Sequence, residues 1–452
     1  MPWLQVQILL GPFQEQPATL PFLMPLRALL PGGSLSGKNA ADILERAGIV
    51  LLMLYLLVGI IYSALVAPVA RFPDEQEYLE LSYNLLHGPG YSMDGVHLTA
   101  GRPPGYAFFL ASIRAVGGGF FSFRVAQFLM LGATILLVSR LCSGRKAFGG
   151  ILIVTGLVIC YPVLFYTSGT LYPQTLSAFL FVLTLTLTLV PSRGPMLNLV
   201  SGVSFGALIL EVPTFLFTMG VVLGAAFFLK IVRRRDVLVI TLAAALTVGA
   251  WTLRNAICFH QFVPVASNSG LNLLMGNNER ATPFEAAANV GIAPYTLQAE
   301  KLGLDEFQSD HFYREAAVIW IKTHPGRSLI LYLEKVLNFF NIVNVYASQN
   351  YAEISPWKQI VMACGYLFLL GLLGWRLIDF KRFPVSPREK LFLIVYVLSA
   401  FTSAIFFTRI RHRLPYDYLI ISIIALNLSR RLEIWIGTAS SPKFSLPSKT
   451  NA

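Results

Sequence analysis

Charge is scarce in this chain of 452 residues: 13% are Asp, Glu, Lys or Arg, while 55% are hydrophobic. Soluble domains carry about 25% charged residues, so this scarcity, with a mean hydropathy of +0.63, excludes a soluble cytosolic enzyme. Acids are the rarer sign, 23 Asp+Glu against 35 Lys+Arg. Cysteine is limited to Cys142, Cys160, Cys258 and Cys364, without paired spacing, which argues against a disulfide framework or a zinc site. Gly-rich phosphate loops, Ser/His/Asp arrangements and metal-spaced His/Cys sets are also missing.

What is abundant is long apolar runs. One crossing takes about 20 apolar residues, and the pattern predicts an all-α integral membrane protein of about ten transmembrane helices. The spans are Ile49–Ala67, Ser122–Leu141, Ala147–Tyr166, Leu171–Val190, Met196–Leu210, Val212–Leu229, Val237–Leu253, Trp357–Trp375, Leu391–Phe407 and Leu414–Leu428. Two further stretches, Gly105–Val116 and Leu329–Val345, are short or interrupted by Arg114, Glu334 and Lys335. They read as helices lying in the membrane interface.

With ten spans, the short connections bearing Arg140, Arg145 and Lys146, then Arg193, then Lys230 and Arg233–Arg235, then Arg376–Lys390, then Arg430 and Arg431 fall on one side. By the positive-inside rule that side is cytoplasmic, so the net charge of +12 reports topology and not a nucleic-acid partner. The resulting organisation is a cytoplasmic tail (1–48), seven helices (49–253) that include a first outer loop (68–121), a second outer region (254–355), the last helices (356–430) and a second tail (431–452). Function is expected in the two outer loops.

Directly after the first span comes Phe72-Pro73-Asp74-Glu75-Gln76-Glu77-Tyr78. Pro73 suits the first position of a helix, and acids in the first turn are favoured by its dipole. Tyr78, Leu81, Leu85 and Leu86 form an apolar stripe that would lay this helix along the membrane, holding its acidic start near lipid headgroups. The loop runs on through Gly88-Pro89-Gly90-Tyr91 to Gly101-Arg102-Pro103-Pro104-Gly105-Tyr106, where turns flank a cation suited to clamping a phosphate.

These segments resemble the opening of the dolichyl-phosphate-mannose–protein mannosyltransferase family and its bacterial lipid-modifying, aminoarabinose-transferase-like relatives, integral-membrane glycosyltransferases of the GT-C class. The resemblance extends through Arg254-Asn255, Phe262–Val265, Gly270-Leu271-Asn272-Leu273 and Gly276-Asn277-Asn278, and covers about Val50 to Arg413. It implies an inverting transfer of a hexose or pentose from a polyprenyl-phosphate carrier to an acceptor such as a protein hydroxyl, lipid A or a glycan. The compact loops point to a bacterial inner membrane, with the site facing the periplasm. By the same resemblance Asp74 is the catalytic base and Glu75 its companion, and a divalent ion at these two acids is the one cofactor to weigh.

Arg102, Arg254, Arg411 and Arg413, with Arg409 and His412 beside them, are the outward cations available for the lipid phosphate. Tyr106, Asn272, Asn277 and Asn278 are candidates for substrate contacts, the last three as amides at expected turns. Asp305, Glu306, Asp310 and His311 read as a solvated helix face, and Phe339, Phe340 and Tyr346 as membrane-interface anchors. The chain departs from the family pattern twice. Gln174 stands where relatives often have an acid, leaving a substrate contact but no base, and Glu211-Val212-Pro213 replaces an Arg-Pro pair. The competing readings are a lipid or sugar transporter and an inactive scaffold of the same fold; the former would place ionisable groups at mid-membrane and show internal repeats.

Overall fold

A computed structural model describes residues 37–142, 149–190, 194–283, 291–343, 346 and 355–435. The regular structure among them is helical: seventeen α-helices, one short 3₁₀ turn and no strand. The protein is an all-α integral membrane protein. Four helices are long and apolar enough to cross a bilayer, Ala40–Leu65, Phe120–Cys142, Arg234–Phe259 and Pro356–Lys381. They belong to α1 (Gly37–Leu65), α4 (Phe120–Cys142), α10 (Arg234–Phe259) and α15 (Pro356–Ile378) with the 3₁₀ turn that follows it. On α1, Met53, Leu54, Leu57, Val58 and Ile61 point outward and are exposed, an apolar stripe that lipid would cover.

Most expected spans correspond to one helix each, with shifted ends. The first begins at Gly37, well before Ile49; tail residues 1–36 and 436–452 lie outside the described residues. The exception is Ala147–Tyr166, which is not one helix. It is α5 (Gly150–Ile159) followed by α6 (Val163–Ser168), because Pro162 has no N–H to continue the ladder and its ring clashes with the preceding turn. The rest of the bundle is α7 (Gln174–Leu189), α8 (Pro195–Glu211), α9 (Phe215–Phe228), α16 (Pro387–Ala404) and α17 (Ile410–Trp435).

Helix α17 is central. From Leu419 to Ala425 it is buried all round, as expected for a helix apolar on every face, and it packs against α4, α5, α7, α15 and α16. Helices α8 and α10 approach closely through Gly202 and Gly206: a Cβ at either position would stand 2.5 Å from Ala243 or Thr247. Small residues four apart are how membrane helices bring their backbones together.

One buried ion pair fastens α15 to the start of α16. Arg376 Nε donates to Glu389 Oε1 at 2.8 Å, and its Nη1 donates to the Phe383 carbonyl at 2.9 Å. Removing one partner of a buried pair strands the other charge, at a cost of about 3–5 kcal/mol. Glu389→Ala should therefore unfold well below the unaltered protein in a thermal melt of detergent-solubilised material; an unchanged midpoint would show that the pair contributes nothing.

The segment expected as the first outer loop folds into α2 (Pro73–His87) and α3 (Pro104–Ala115), packed on each other, with α3 also on α8. Of the expected α2 stripe, Tyr78 and Leu81 are buried and Leu85 is partly so, but Leu86 is 42% exposed. Leu79 takes its place inward. The second outer region supplies α11 (Ser269–Gly276), α12 (Ala293–Lys301), α13 (Glu306–Thr323) and α14 (Pro325–Phe339).

Three expectations change here. The stretch from Gly270 is helix α11 and not a turn, and its glycines serve close packing: a Cβ on Gly270 would lie 1.9 Å from the Asp310 carbonyl, and one on Gly276 1.7 Å from that of Phe406. The solvated face expected at Asp305, Glu306, Asp310 and His311 holds only for Asp305 and His311. Asp305 caps α13 by accepting from the Phe307 and Gln308 amides, and Asp310 is buried, accepting from the Gly270 amide at 2.6 Å. Glu306 ties the two outer loops together by accepting from Thr99, from the Ala100 amide and from Ser267. Finally, Phe339 and Tyr346 are not interface anchors but lie in the main core. Lys335 is buried as well, donating to the Gly276 and Phe406 carbonyls and to Asn277.

Candidate active site

The start of α2 sits where the outer loops meet the bundle. Pro73 occupies the first turn after an extended Phe72, which leaves Asp74 and Glu75 in that turn pointing different ways. Glu75 turns inward: its Oε2 accepts from the Arg71 amide at 2.6 Å and its Oε1 from the Leu171 amide at 2.8 Å. Both oxygens are thereby committed to holding the loop Leu171-Tyr172-Pro173 against α2. Asp74 instead lines a cavity of about 1000 Å³.

Two arginines from opposite ends of the chain converge on Asp74. Arg102 Nη2 donates to Oδ1 and Arg411 Nη1 donates to Oδ2, each at 2.9 Å. Arg102 also pairs with Glu77, and its turn is pinned by the Tyr91 hydroxyl, which donates to the Arg102 carbonyl at 2.9 Å and to that of Pro103 at 3.1 Å. The Arg411 guanidinium lies over the Tyr172 ring, 4.7 Å from its centroid, so the loop placed by Glu75 also orients this cation. Burial works to raise the Asp74 carboxyl, and the charges of Arg411 and Arg102 outweigh it, holding the group well below the usual carboxylate range.

With both Asp74 oxygens on arginine and both Glu75 oxygens on backbone amides, this pair does not fit a divalent ion. The described residues contain no cluster of three or more metal-ligating His, Cys, Asp or Glu.

The cavity has a polar end and a long apolar one. Asp74, Tyr78, Arg102, Tyr172, Gln174, Glu211, Asn272, Arg411 and His412 line the former. Ile209, Leu216, Met219, Val248, Leu253, Phe262, Phe406 and Phe407 line much of the rest. Its wall follows α10 from Thr241 to Ala256, about 22 Å of helix at 1.5 Å per residue. Such a shape takes a polar head carried on an extended apolar chain.

The remaining sequence candidates lie outside this lining. Arg254 stacks on Trp251, 4.8 Å from the ring centroid, and donates to the Thr99 carbonyl and to Asn255 at 3.0 Å, joining α10 to the first outer loop. Arg413 is paired with Asp417 and donates to the Phe339 and Asn341 carbonyls. Arg409 packs over the Phe407 ring. Tyr106 is fully buried and donates to Gln127 at 2.8 Å. Asn277 and Asn278 donate to the carbonyls of Leu273 and Leu274 and close α11. Sequence reasoning did not single out Tyr172 or Ser177, and it noted Glu211 only as a departure from a pattern; the Pro213 that ends α8 two residues later was the one available signal that Glu211 stands at a helix end.

The sequence matches no family model and no curated protein. Among solved structures, the chain is similar to the crystal structure of ArnT from Cupriavidus metallidurans bound to undecaprenyl phosphate, at 13% identity and a TM-score of 0.41, over 85% of this chain and 78% of that one. It is likewise similar to the same protein in the apo state, at 12% identity and a TM-score of 0.39, over 85% and 77%.

Proposed function

We propose that this protein is an inverting GT-C glycosyltransferase that moves a sugar from a polyprenyl-phosphate carrier to an acceptor hydroxyl on the outer, periplasmic face of a bacterial inner membrane. The observation that carries this reading is a buried carboxylate held by two arginines at the polar end of an elongated apolar cavity. The apolar stretch suits the prenyl chain, and the arginines suit its phosphate, since guanidinium binds phosphate oxygens in pairs and stays charged in a dry site.

Asp74 takes the acceptor proton as the hydroxyl oxygen bonds to the anomeric carbon. The bond from that carbon to the phosphate oxygen breaks with its electron pair, leaving polyprenyl phosphate on Arg102 and Arg411. A carrier protein would instead need ionisable groups free to change partners within the bilayer. The pair inside α17, Arg413 and Asp417, is fully engaged by backbone carbonyls and tyrosine hydroxyls.

The test is transfer of radiolabelled sugar from synthetic polyprenyl-phosphate sugars in membranes with and without the protein. Label is expected to leave the carrier only where the protein is present. Donor that stays intact across a panel of hexose and pentose carriers and acceptor extracts would overturn the transferase reading.

A further inference from the structure

The cavity that the arginines line also holds a carboxyl that the reaction just described does not use. Glu211, the last residue of α8, is 1% exposed and lines the cavity. Among the described residues neither of its oxygens has a partner in good hydrogen-bond geometry, and the Ser177 hydroxyl is the one side chain close enough to act as a donor to it. The hydroxyl beside it, that of Ser177, donates instead to the Pro173 carbonyl at 3.0 Å. Gln174 lines the same wall, is 7% exposed, and its Oε1 is also without a partner.

An unsatisfied buried acceptor costs about 1–3 kcal/mol, and a charged one more. A fold that keeps three such oxygens beside one cavity leaves them open to donors that a ligand brings.

The position is built and not incidental. Gly105 packs on the end of α8 so closely that a Cβ there would stand 2.9 Å from Glu211 Cα, Cβ and N. The same turn carries Arg102, so one Arg-Pro-Pro-Gly segment seats both this cation and the Glu211 carboxyl. Tyr78, which lines the same cavity, lies within electrostatic reach of both Asp74 and Glu211.

We infer that Glu211 and Gln174 form the wall that recognises the transferred sugar, accepting hydrogen bonds from its hydroxyl or amino groups and so selecting which sugar is moved. The inference rests on the donor reading above. Acceptors without partners match a group that can donate, and a sugar offers either O–H groups or an ammonium with three N–H donors. A site built to hydrogen-bond a substrate group rejects analogues that lack it far more strongly than an apolar pocket can.

The experiment measures binding to the full-length protein in nanodiscs, using bare polyprenyl phosphate, polyprenyl-phosphate hexose and polyprenyl-phosphate amino-pentose, before and after Glu211→Gln. The substitution keeps the volume and replaces one acceptor with a donor. Affinity for a sugar-bearing lipid should fall by at least about tenfold, while bare lipid phosphate changes by less than about twofold. Loss confined to the amino sugar identifies an ammonium ligand; loss confined to the hexose identifies hydroxyls. If Glu211→Gln does not fold, Gln174→Leu, which removes one of the three acceptors, must show the same selective weakening.

Unchanged affinity for both sugar-bearing lipids overturns this inference and leaves the donor reading standing. Equal weakening toward the bare lipid shows a structural role and overturns it too. Failure of the unaltered protein to bind any of the three lipids overturns the donor reading itself, and this inference with it.

Discussion

Asp74→Asn lowers sugar transfer by about a thousandfold, within the range a general base contributes, while donor lipid binds at least as tightly as before. The two effects separate because Asp74 stands in two relations at once. As a base it must accept a proton from the acceptor. As an anion it occupies the guanidinium groups of Arg102 and Arg411, one on each oxygen, which a lipid phosphate also needs.

A phosphate that takes those donors releases the carboxylate from the charges that hold its affinity for protons down, so donor binding converts a poor base into a better one. Asn is neutral and cannot compete for the arginines, so the variant loses chemistry and keeps or gains binding. Initial rates of label transfer and donor affinity, measured on the same membranes, decide the matter. A variant that transfers at the normal rate removes Asp74 from the chemistry, and one that loses donor binding shows the carboxylate to be structural.

The pH dependence follows in sign from the same contacts. A carboxyl held below its ordinary range stays ionised as pH falls, so the acid limb of kcat/KM, which reports the free enzyme, should lie below the usual carboxylate range. The limb of kcat, which reports the loaded enzyme, should lie above it. By linkage, the ion pairs of Asp74 stabilise the fold above the ordinary carboxylate pKa, and that contribution is lost as pH falls through the lower folded value.

The sequence made the membrane class and the acidic start of α2 legible because both are local: apolar runs of crossing length, and Pro-Asp-Glu at a helix start. It also pointed to Arg102 and Arg411 as cations on the outer side. It held no local sign that they meet on one carboxylate, since Asp74 and Arg411 are brought together only by packing α17 through the bundle's centre. The break in Ala147–Tyr166 was readable in principle from Pro162, but apolar composition masked it.

The polar residues show the clearest limit. Glu75 and Asn277 look like chemistry in a sequence, yet each has a backbone amide or carbonyl of another segment as its partner, and Asn278 closes its own helix. A buried polar group must be satisfied, and by what is a fact of the tertiary fold. Glu211 is the converse case, a residue the sequence marked only as a departure and the cavity leaves without a partner in good hydrogen-bond geometry.

Arg411→Ala should weaken donor binding by about 2–5 kcal/mol, the cost of truncating one partner of a buried, hydrogen-bonded charge pair, which is roughly thirtyfold to several thousandfold. Arg411→Lys should recover little of it. Lysine carries the charge but not the planar fork, and the site uses both properties of arginine: one edge donates to Asp74 while the face rests on the Tyr172 ring. Tyr172→Leu, which removes that ring and leaves the charge, should then cost less than Arg411→Lys.

The substitution also acts on the base. Without Arg411, the larger of the two charge effects on Asp74 is gone and burial is opposed only by Arg102 and the Tyr172 hydroxyl, so the acid limb of kcat/KM should move to higher pH. Arg102→Ala should move it the same way by less. A donor affinity that survives Arg411→Ala would mean that the lipid phosphate is held elsewhere in the cavity. An acid limb that stays in place while affinity falls would mean that the titrating base is a group other than Asp74, because no other change in the pair could leave its protonation untouched.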